Sequence, residues 1–262
     1  MKYLDSLIKI KDITTNEGEV VEVFELLPNI DDEAFNEWAA SFRKNYCADD
    51  MLELLVRGTG MTKQQYLLAH KFPDAKGGFG PATRSGDFSE LLISDYLEFV
   101  LGYTVHRERY RNRFNSNSST QGTDVVAFKI TGTKPSIDDE FVTFEVKART
   151  SGKETKARLQ DAIDDSHKDA IRKGETLSAL KQIYFEKGDI GKANQIERFQ
   201  NKPDRPYTER YGAAAVEDTT MYSEELIQKV KLNGTKRWMI VIKRDNLMSL
   251  VHRLYEVASN VN

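Results

Sequence analysis

Short apolar segments alternate with longer amphipathic ones over residues 86–260, and this alternation constrains the fold more than any other feature of the sequence. A helix is predicted for 87–101, where apolar side chains recur at three- and four-residue spacing. The other predicted elements are strands at 103–114, 124–130 and 141–148, a polar helix at 153–174, strands at 212–216 and 238–242, and a helix at 247–258. Strands interspersed with helices predict an α/β fold with a mixed central sheet flanked by helices.

Residues 1–75 show a different pattern and are predicted to form a small α+β accessory region. Its predicted elements are strands near 7–10 and 20–27 and helices at 31–45, at 48–56 and from residue 62 onward. The following stretch, 73–86, contains four glycines and two prolines, which predicts a loop or hinge. We therefore place the boundary to a core domain of residues 76–262 at this stretch.

Charge and cysteine content restrict the environment and the partners of the chain. The net charge is -3, so any contact with nucleic-acid phosphates must come from a local basic patch. The single cysteine, Cys47, excludes a disulfide framework within one chain. No segment approaches the roughly 20 apolar residues of a membrane span, and the first residues lack the apolar stretch of a signal peptide. We expect a cytoplasmic protein without a membrane partner.

The segment 141–149 places an acid and a lysine side by side. Because strand side chains alternate between two faces, Glu145 and Lys147 lie together on one face while the apolar residues between them occupy the other. Upstream, Asp124 is the last polar residue before a second apolar strand, and turn-like residues 131–140 connect the two. An antiparallel hairpin would bring Asp124 beside Glu145.

Two converging carboxylates with an adjacent lysine suit phosphodiester hydrolysis. Mg²⁺ prefers oxygen ligands, typically one or two carboxylates with waters and substrate phosphate, so Asp124 and Glu145 are candidate ligands of Mg²⁺ or Mn²⁺. Such a metal activates water and polarises the phosphate, while Lys147 orients the attacking water or stabilises the transition state. Glu90, on the preceding helix, is a candidate fourth catalytic residue. The alternative is a cross-strand salt bridge on a solvated face.

The order of these elements resembles that of the PD-(D/E)xK nuclease superfamily. A helix with Glu90 is followed by a strand with Asp124, a strand with Glu145 and Lys147, and a second helix. The resemblance covers residues 86–260. It implies a restriction-endonuclease-like core that acts as a Mg²⁺-dependent deoxyribonuclease.

The same residues, with the Gly122-Thr123-Asp124 turn, also resemble the HamA nuclease subunit of Hachiman anti-phage defence. This narrower resemblance implies the nuclease effector of a defence system that works with a helicase or ATPase partner. The superfamily's usual proline before the aspartate is replaced here by Thr123, which leaves the register of Asp124 to be tested.

Four arginines precede the candidate site and are predicted to bind DNA. They are Arg107, Arg109, Arg111 and Arg113. In a strand over 103–114 these side chains would share one face and could bind the phosphate backbone of DNA. The loop 115–121 would add hydrogen-bond donors. The alternative is an exposed edge strand whose charges oppose aggregation. Four further basic residues follow on the predicted helix, where we favour a solvated face: Lys153, Lys156, Arg158 and Lys168.

Two further hypotheses for the function stay open. The first is a non-catalytic or weakly active module of the same fold that binds DNA and docks to a partner protein through residues 1–75. Phe35, Trp38 and Phe42 are candidate contacts for that partner, although their spacing also fits a helix stripe that faces the core. The second is a self-sufficient restriction-type endonuclease, which the lack of a recognisable base-reading module disfavours.

Overall fold

The computed structural model describes residues 1–111, 113–118, 122–152 and 155–260. Within these residues, seven strands form one mixed sheet in the order β1-β2-β7-β6-β5-β4-β3. The strands are β1 (Leu7–Thr14), β2 (Val20–Leu26), β3 (Thr104–Val105), β4 (Val125–Lys129), β5 (Glu140–Arg149), β6 (Thr208–Asp218) and β7 (Trp238–Arg244). The predicted α/β fold with a mixed central sheet is confirmed.

Helices account for most of the remaining described chain. They are α1 (Asp32–Tyr46), α2 (Asp49–Val56), α3 (Lys63–Tyr66), α4 (Gly80–Asp95), α5 (Arg158–Glu186), α6 (Ile190–Glu197), α7 (Glu224–Gln228) and α8 (Leu247–Ser259). Short 3₁₀ segments span Lys2–Ser6 and Thr219–Met221, and π-helical turns extend α3 over Leu67–Lys71 and α4 over Tyr96–Val100. In the described part of the chain, no helix is both long and apolar enough to cross a membrane.

The two faces of the sheet carry separate hydrophobic cores. On β6, Ala214 and Val216 pack with the helices α1, α4 and α8, whereas Ala213 and Ala215 pack with α5 and α7. This division follows from the alternation of side chains along a strand. Lys147 shares the α5 face, where it contacts Asp165 of that helix.

The central strands β5, β6, β7 and β2 run parallel, and β4 pairs antiparallel with β5. Val125 of β4 lies opposite Phe144 of β5, so the predicted hairpin is present. On the other side of β5, Gly212 of β6 lies opposite Phe144. A Cβ atom at Gly212 would lie 2.4 Å from the Phe144 ring, so glycine is required for this close packing.

Residues 1–75 contribute to the central sheet. Strand β2 pairs in parallel with β7, from Val21 opposite Met239 to Glu25 opposite Lys243. The helix α1 begins at Asp32, after the Asp31 side chain accepts a hydrogen bond from the Ala34 amide.

The aromatic stripe of α1 faces the core. Phe35, Trp38 and Phe42 are all buried, Trp38 stacks on Tyr3, and Phe42 packs edge-on against Tyr255 of α8. The core-facing interpretation of these three residues is therefore confirmed. The division of the chain at residue 76 stays a prediction.

Two predicted boundaries are corrected by the structure. The loop predicted for 73–86 ends at Phe79, because α4 begins at Gly80 with Pro81 in its first turn, where a missing amide proton costs little. The strand predicted for 103–114 ends at Val105, and residues 106–111 and 113–118 form turns and irregular structure.

The helix predicted for 153–174 is α5, which begins at Arg158 and continues to Glu186. Lys153 and residues 119–121 of the predicted DNA-contacting loop lie outside the described residues.

Candidate active site

The β4–β5 pairing brings Asp124 beside Glu145. Asp124 immediately precedes β4, and its Oδ2 accepts a hydrogen bond of 2.9 Å from the backbone amide of Val146. The turn into β4 contains Gly122 at a φ of +99°, a backbone conformation that glycine adopts without strain. The backbone of the hairpin therefore fixes the Asp124 carboxylate and places it next to Glu145, as the sequence predicted.

Lys147 links Glu145 to α5. Its Nζ lies 2.7 Å from Glu145 Oε1 and 2.8 Å from Asp165 Oδ2. Burial works to lower the pKa of Lys147, but the hydrogen bonds to Asp165 and Glu145 outweigh it and raise that pKa above its ordinary value. The ammonium group therefore stays charged at neutral pH, next to the two carboxylates.

Burial of Glu145 near other acids disfavours its ionised form. Burial, followed by the charge of Asp124, raises the pKa of Glu145 to about 7, although Lys147 opposes the shift. A carboxylate in this state gains much from a nearby cation, because the cation favours the charged form.

Glu90 of α4 belongs to the same group of interacting charges. The Tyr110 hydroxyl donates a hydrogen bond of 2.5 Å to Glu90 Oε2. Burial raises the pKa of Glu90 to about 8; the charges of Asp124 and Asp87 add to this, while Arg109 opposes it. The structure thus places Glu90 within electrostatic range of Asp124, from the helix that the sequence predicted.

Asp169 of α5 is an acid near the site that the sequence did not single out. It is 1% exposed, and its Oδ1 accepts a hydrogen bond of 3.0 Å from the Thr123 hydroxyl. Burial raises the pKa of Asp169 to about 6; the charge of Asp124 adds to this, and the Thr123 hydroxyl opposes it. Its spacing of four residues from Asp165 places both on one helix face, but this spacing alone does not reveal that the face meets the site.

The donor chemistry of this site fits a hard divalent cation. Asp124 and Glu145 offer oxygen ligands, and a cation between them would relieve the repulsion that raises the pKa of Glu145. No group of three or more histidine, cysteine, aspartate or glutamate side chains is positioned for a metal ion within the described ranges. The two predicted ligands would therefore leave coordination positions for water or phosphate.

The four arginines predicted to share a face are directed to different partners. Arg107 contacts Asp95 and Glu98 at 2.7 Å each. Arg113 forms a two-pronged ion pair with Asp87, with both distances at 2.7 Å.

The other two arginines, Arg109 and Arg111, also contact different partners. Arg109 lies 2.9 Å from Asp124 Oδ1, and Arg111, with the most exposed side chain of the four, donates to the Lys44 carbonyl. The prediction of one continuous arginine face is therefore wrong, because acids from several elements draw the side chains apart. DNA contact by these residues stays a prediction.

Comparison with known proteins adds one match. The family model described as HamA matches residues 1–258. A search of the curated proteins found no match.

Proposed function

This chain belongs to the HamA family, whose members are components of Hachiman antiviral defence, and we propose that it hydrolyses DNA phosphodiester bonds with Mg²⁺ or Mn²⁺ bound at Asp124 and Glu145. One observation carries the proposal: the hairpin register brings two partly buried carboxylates together, with the Lys147 ammonium 2.7 Å from one of them.

The residues of the site have separable roles in this reaction. A bound divalent cation supplies an activated water and neutralises charge on the phosphate. Lys147 holds a positive charge beside that position and stabilises the negative charge that develops on the phosphoryl oxygens. Glu90, with a pKa of about 8, holds a proton at neutral pH and limits the negative charge around Asp124.

A protein partner completes the proposed activity. Members of this family act in a system with partner proteins. The sequence contains no G-x-x-x-x-G-K-[ST] motif for ATP. We infer that a helicase or ATPase partner handles the DNA while this chain supplies the nuclease site.

A second candidate function is a non-catalytic module of the same fold that binds DNA and a partner protein. The contacts of Asp124 favour it, because one oxygen accepts from the Val146 amide and the other lies against Arg109. A metal at Asp124 would have to share these oxygens with the amide and the guanidinium or displace one of them.

Two measurements on the full chain separate the candidates. Supercoiled plasmid is incubated with wild type and with Glu145→Gln over a titration of Mg²⁺ or Mn²⁺, with EDTA as the metal-free arm, and Mn²⁺ binding is measured by calorimetry. We expect wild type to bind Mn²⁺ and nick plasmid, and both EDTA and the variant to abolish nicking. If wild type neither binds Mn²⁺ nor nicks plasmid, or cuts equally well in EDTA, the metal-dependent nuclease is ruled out.

A further inference from the structure

The guanidinium of Arg109 lies between two acids of the candidate site. Its Nη1 is 2.9 Å from Asp124 Oδ1 and 3.7 Å from Glu90 Oε2, and it donates a hydrogen bond of 2.7 Å to the Thr123 carbonyl. The Arg109 side chain is only 14% exposed. A positive charge is therefore already present beside Asp124, one of the two acids that we assign to the metal site.

The two carboxylate oxygens of Asp124 differ in how easily their present partners can be displaced. Oδ2 accepts from the Val146 amide, which belongs to the paired strand β5 and is fixed by the sheet. Oδ1 is held by a flexible arginine side chain. Oδ1 is thus the oxygen whose present partner can be displaced without disturbing the sheet, and the repulsion between a cation and the Arg109 guanidinium favours that displacement.

The surroundings of Arg109 leave space for its side chain to move away from Asp124. Arg109 lies in the irregular segment after β3, outside the sheet. A cavity of about 170 Å³ adjoins Arg109 and Asp124 and reaches α5 at Thr176 and Ile183. The side chain can therefore withdraw from Asp124 without breaking any strand pairing.

We propose that Arg109 competes with the divalent cation for Asp124 Oδ1, so that metal binding at this oxygen requires the withdrawal of Arg109. This inference rests on the proposed function and adds a control step to it: while Arg109 is paired with Asp124, Oδ1 is closed to the cation. Arginine is suited to this role because its guanidinium stays charged at all physiological pH values and forms close ion pairs with carboxylates.

The test measures Mn²⁺ affinity directly, by calorimetry on the full chain without DNA. Arg109→Gln removes the competing charge and is expected to bind Mn²⁺ about two- to fivefold more tightly than wild type, the factor that corresponds to a modest ion pair. The matched control is Arg198→Gln. Arg198 forms an equally buried ion pair with Asp139, 2.6 Å apart, at the opposite end of β5, and its loss is expected to leave Mn²⁺ affinity unchanged.

A second variant and a second readout guard against misfolding. Arg109→Lys keeps a charge but loses the planar fork, so its Mn²⁺ affinity is expected to fall between those of wild type and Arg109→Gln. Mn²⁺ is also expected to raise the melting temperature of Arg109→Gln more than that of wild type, since tighter binding to the folded state stabilises it more.

The outcomes distinguish this inference from the proposed function. Equal or weaker Mn²⁺ binding in Arg109→Gln, with binding still abolished by Glu145→Gln, overturns the role of Arg109 and leaves the metal site intact. An absence of Mn²⁺ binding in wild type and in both Arg109 variants overturns the metal site and the inference together.

Discussion

Replacement of Lys147 by alanine is the sharpest test of the catalytic assignment. The ammonium group contacts Glu145 at 2.7 Å and Asp165 at 2.8 Å, with the Lys147 side chain 22% exposed. The substitution removes both ion pairs but leaves the β4–β5 pairing and the Val146 amide contact of Asp124 in place. The carboxylates therefore stay where they are while the positive charge is lost.

The expected cost to stability is small and the expected cost to cleavage is large. An ion pair at a partly solvated position contributes about 0–1 kcal/mol, so the loss of two pairs costs at most about 2 kcal/mol. For a chain of this size that corresponds to a fall of about 4–8 °C in melting temperature. Loss of one preorganised charge in a transition state costs on the order of 10²–10³ in rate.

The effect of Lys147 on Glu145 has to be separated from its effect on the transition state. Lys147 opposes the rise in the pKa of Glu145, so in Lys147→Ala that pKa increases above about 7 and more of Glu145 is protonated at neutral pH. Cleavage is therefore measured at pH 7 and at pH 9. A defect that disappears at pH 9 comes from protonation of Glu145, whereas a defect that persists comes from the missing ammonium group.

Lys168→Ala is the matched control for this experiment. Lys168 contacts the same Asp165, at 2.5 Å, but is more exposed than Lys147. Its loss is expected to leave plasmid cleavage within about twofold of wild type, because a solvated ion pair contributes little. Full nuclease activity in Lys147→Ala, or an equal loss in Lys168→Ala, would refute the assignment of Lys147 as a catalytic residue.

Two further predictions concern stability. The folded-state pKa of Glu90, about 8, lies above its ordinary value of 4.5, so the stability that protonated Glu90 contributes is present below pH 4.5 and is lost as pH rises towards 8. The melting temperature of the metal-free protein is expected to fall between pH 5 and pH 8.5, and to fall less in Glu90→Gln; identical profiles would contradict the raised pKa. Gly212→Ala is expected to destabilise by about 1–3 kcal/mol, measured by urea unfolding, because its Cβ would overlap the Phe144 ring. Gly132→Ala, where nothing lies within 4 Å of the added Cβ, is the control, and equal losses in the two variants would contradict the close packing at Gly212.

The hairpin that carries Asp124 and Glu145 could be predicted because its determinants are local. The two-residue alternation over 141–149 fixes which side chains share a face, and the short connection 131–140 favours antiparallel pairing. The observed register, with Val125 opposite Phe144, follows from these features. Glu90 was predictable for a similar reason, since a helical pattern placed it just before the hairpin.

The arginine segment could not be predicted because its conformation depends on distant partners. Alternating arginines over 107–113 fit a strand and an irregular segment equally well. The irregular conformation is stabilised by acids that lie earlier in the chain: Asp95 of α4 binds Arg107, and Asp87 of α4 binds Arg113. Likewise, Asp169 joins the site only because α5 packs across the sheet, and no spacing in the sequence reveals that contact.

The parallel pairing of β2 with β7 has a consequence for the order in which the chain folds during its synthesis. Val21 finds its partner Met239 more than 200 residues later in the chain. At ordinary translation rates the delay is on the order of 10–40 s, during which the β1–β2 hairpin leaves the ribosome without its neighbour in the sheet. Contacts between such distant segments also close slowly. The sheet that holds the two carboxylates is therefore completed only when nearly the whole chain has been translated.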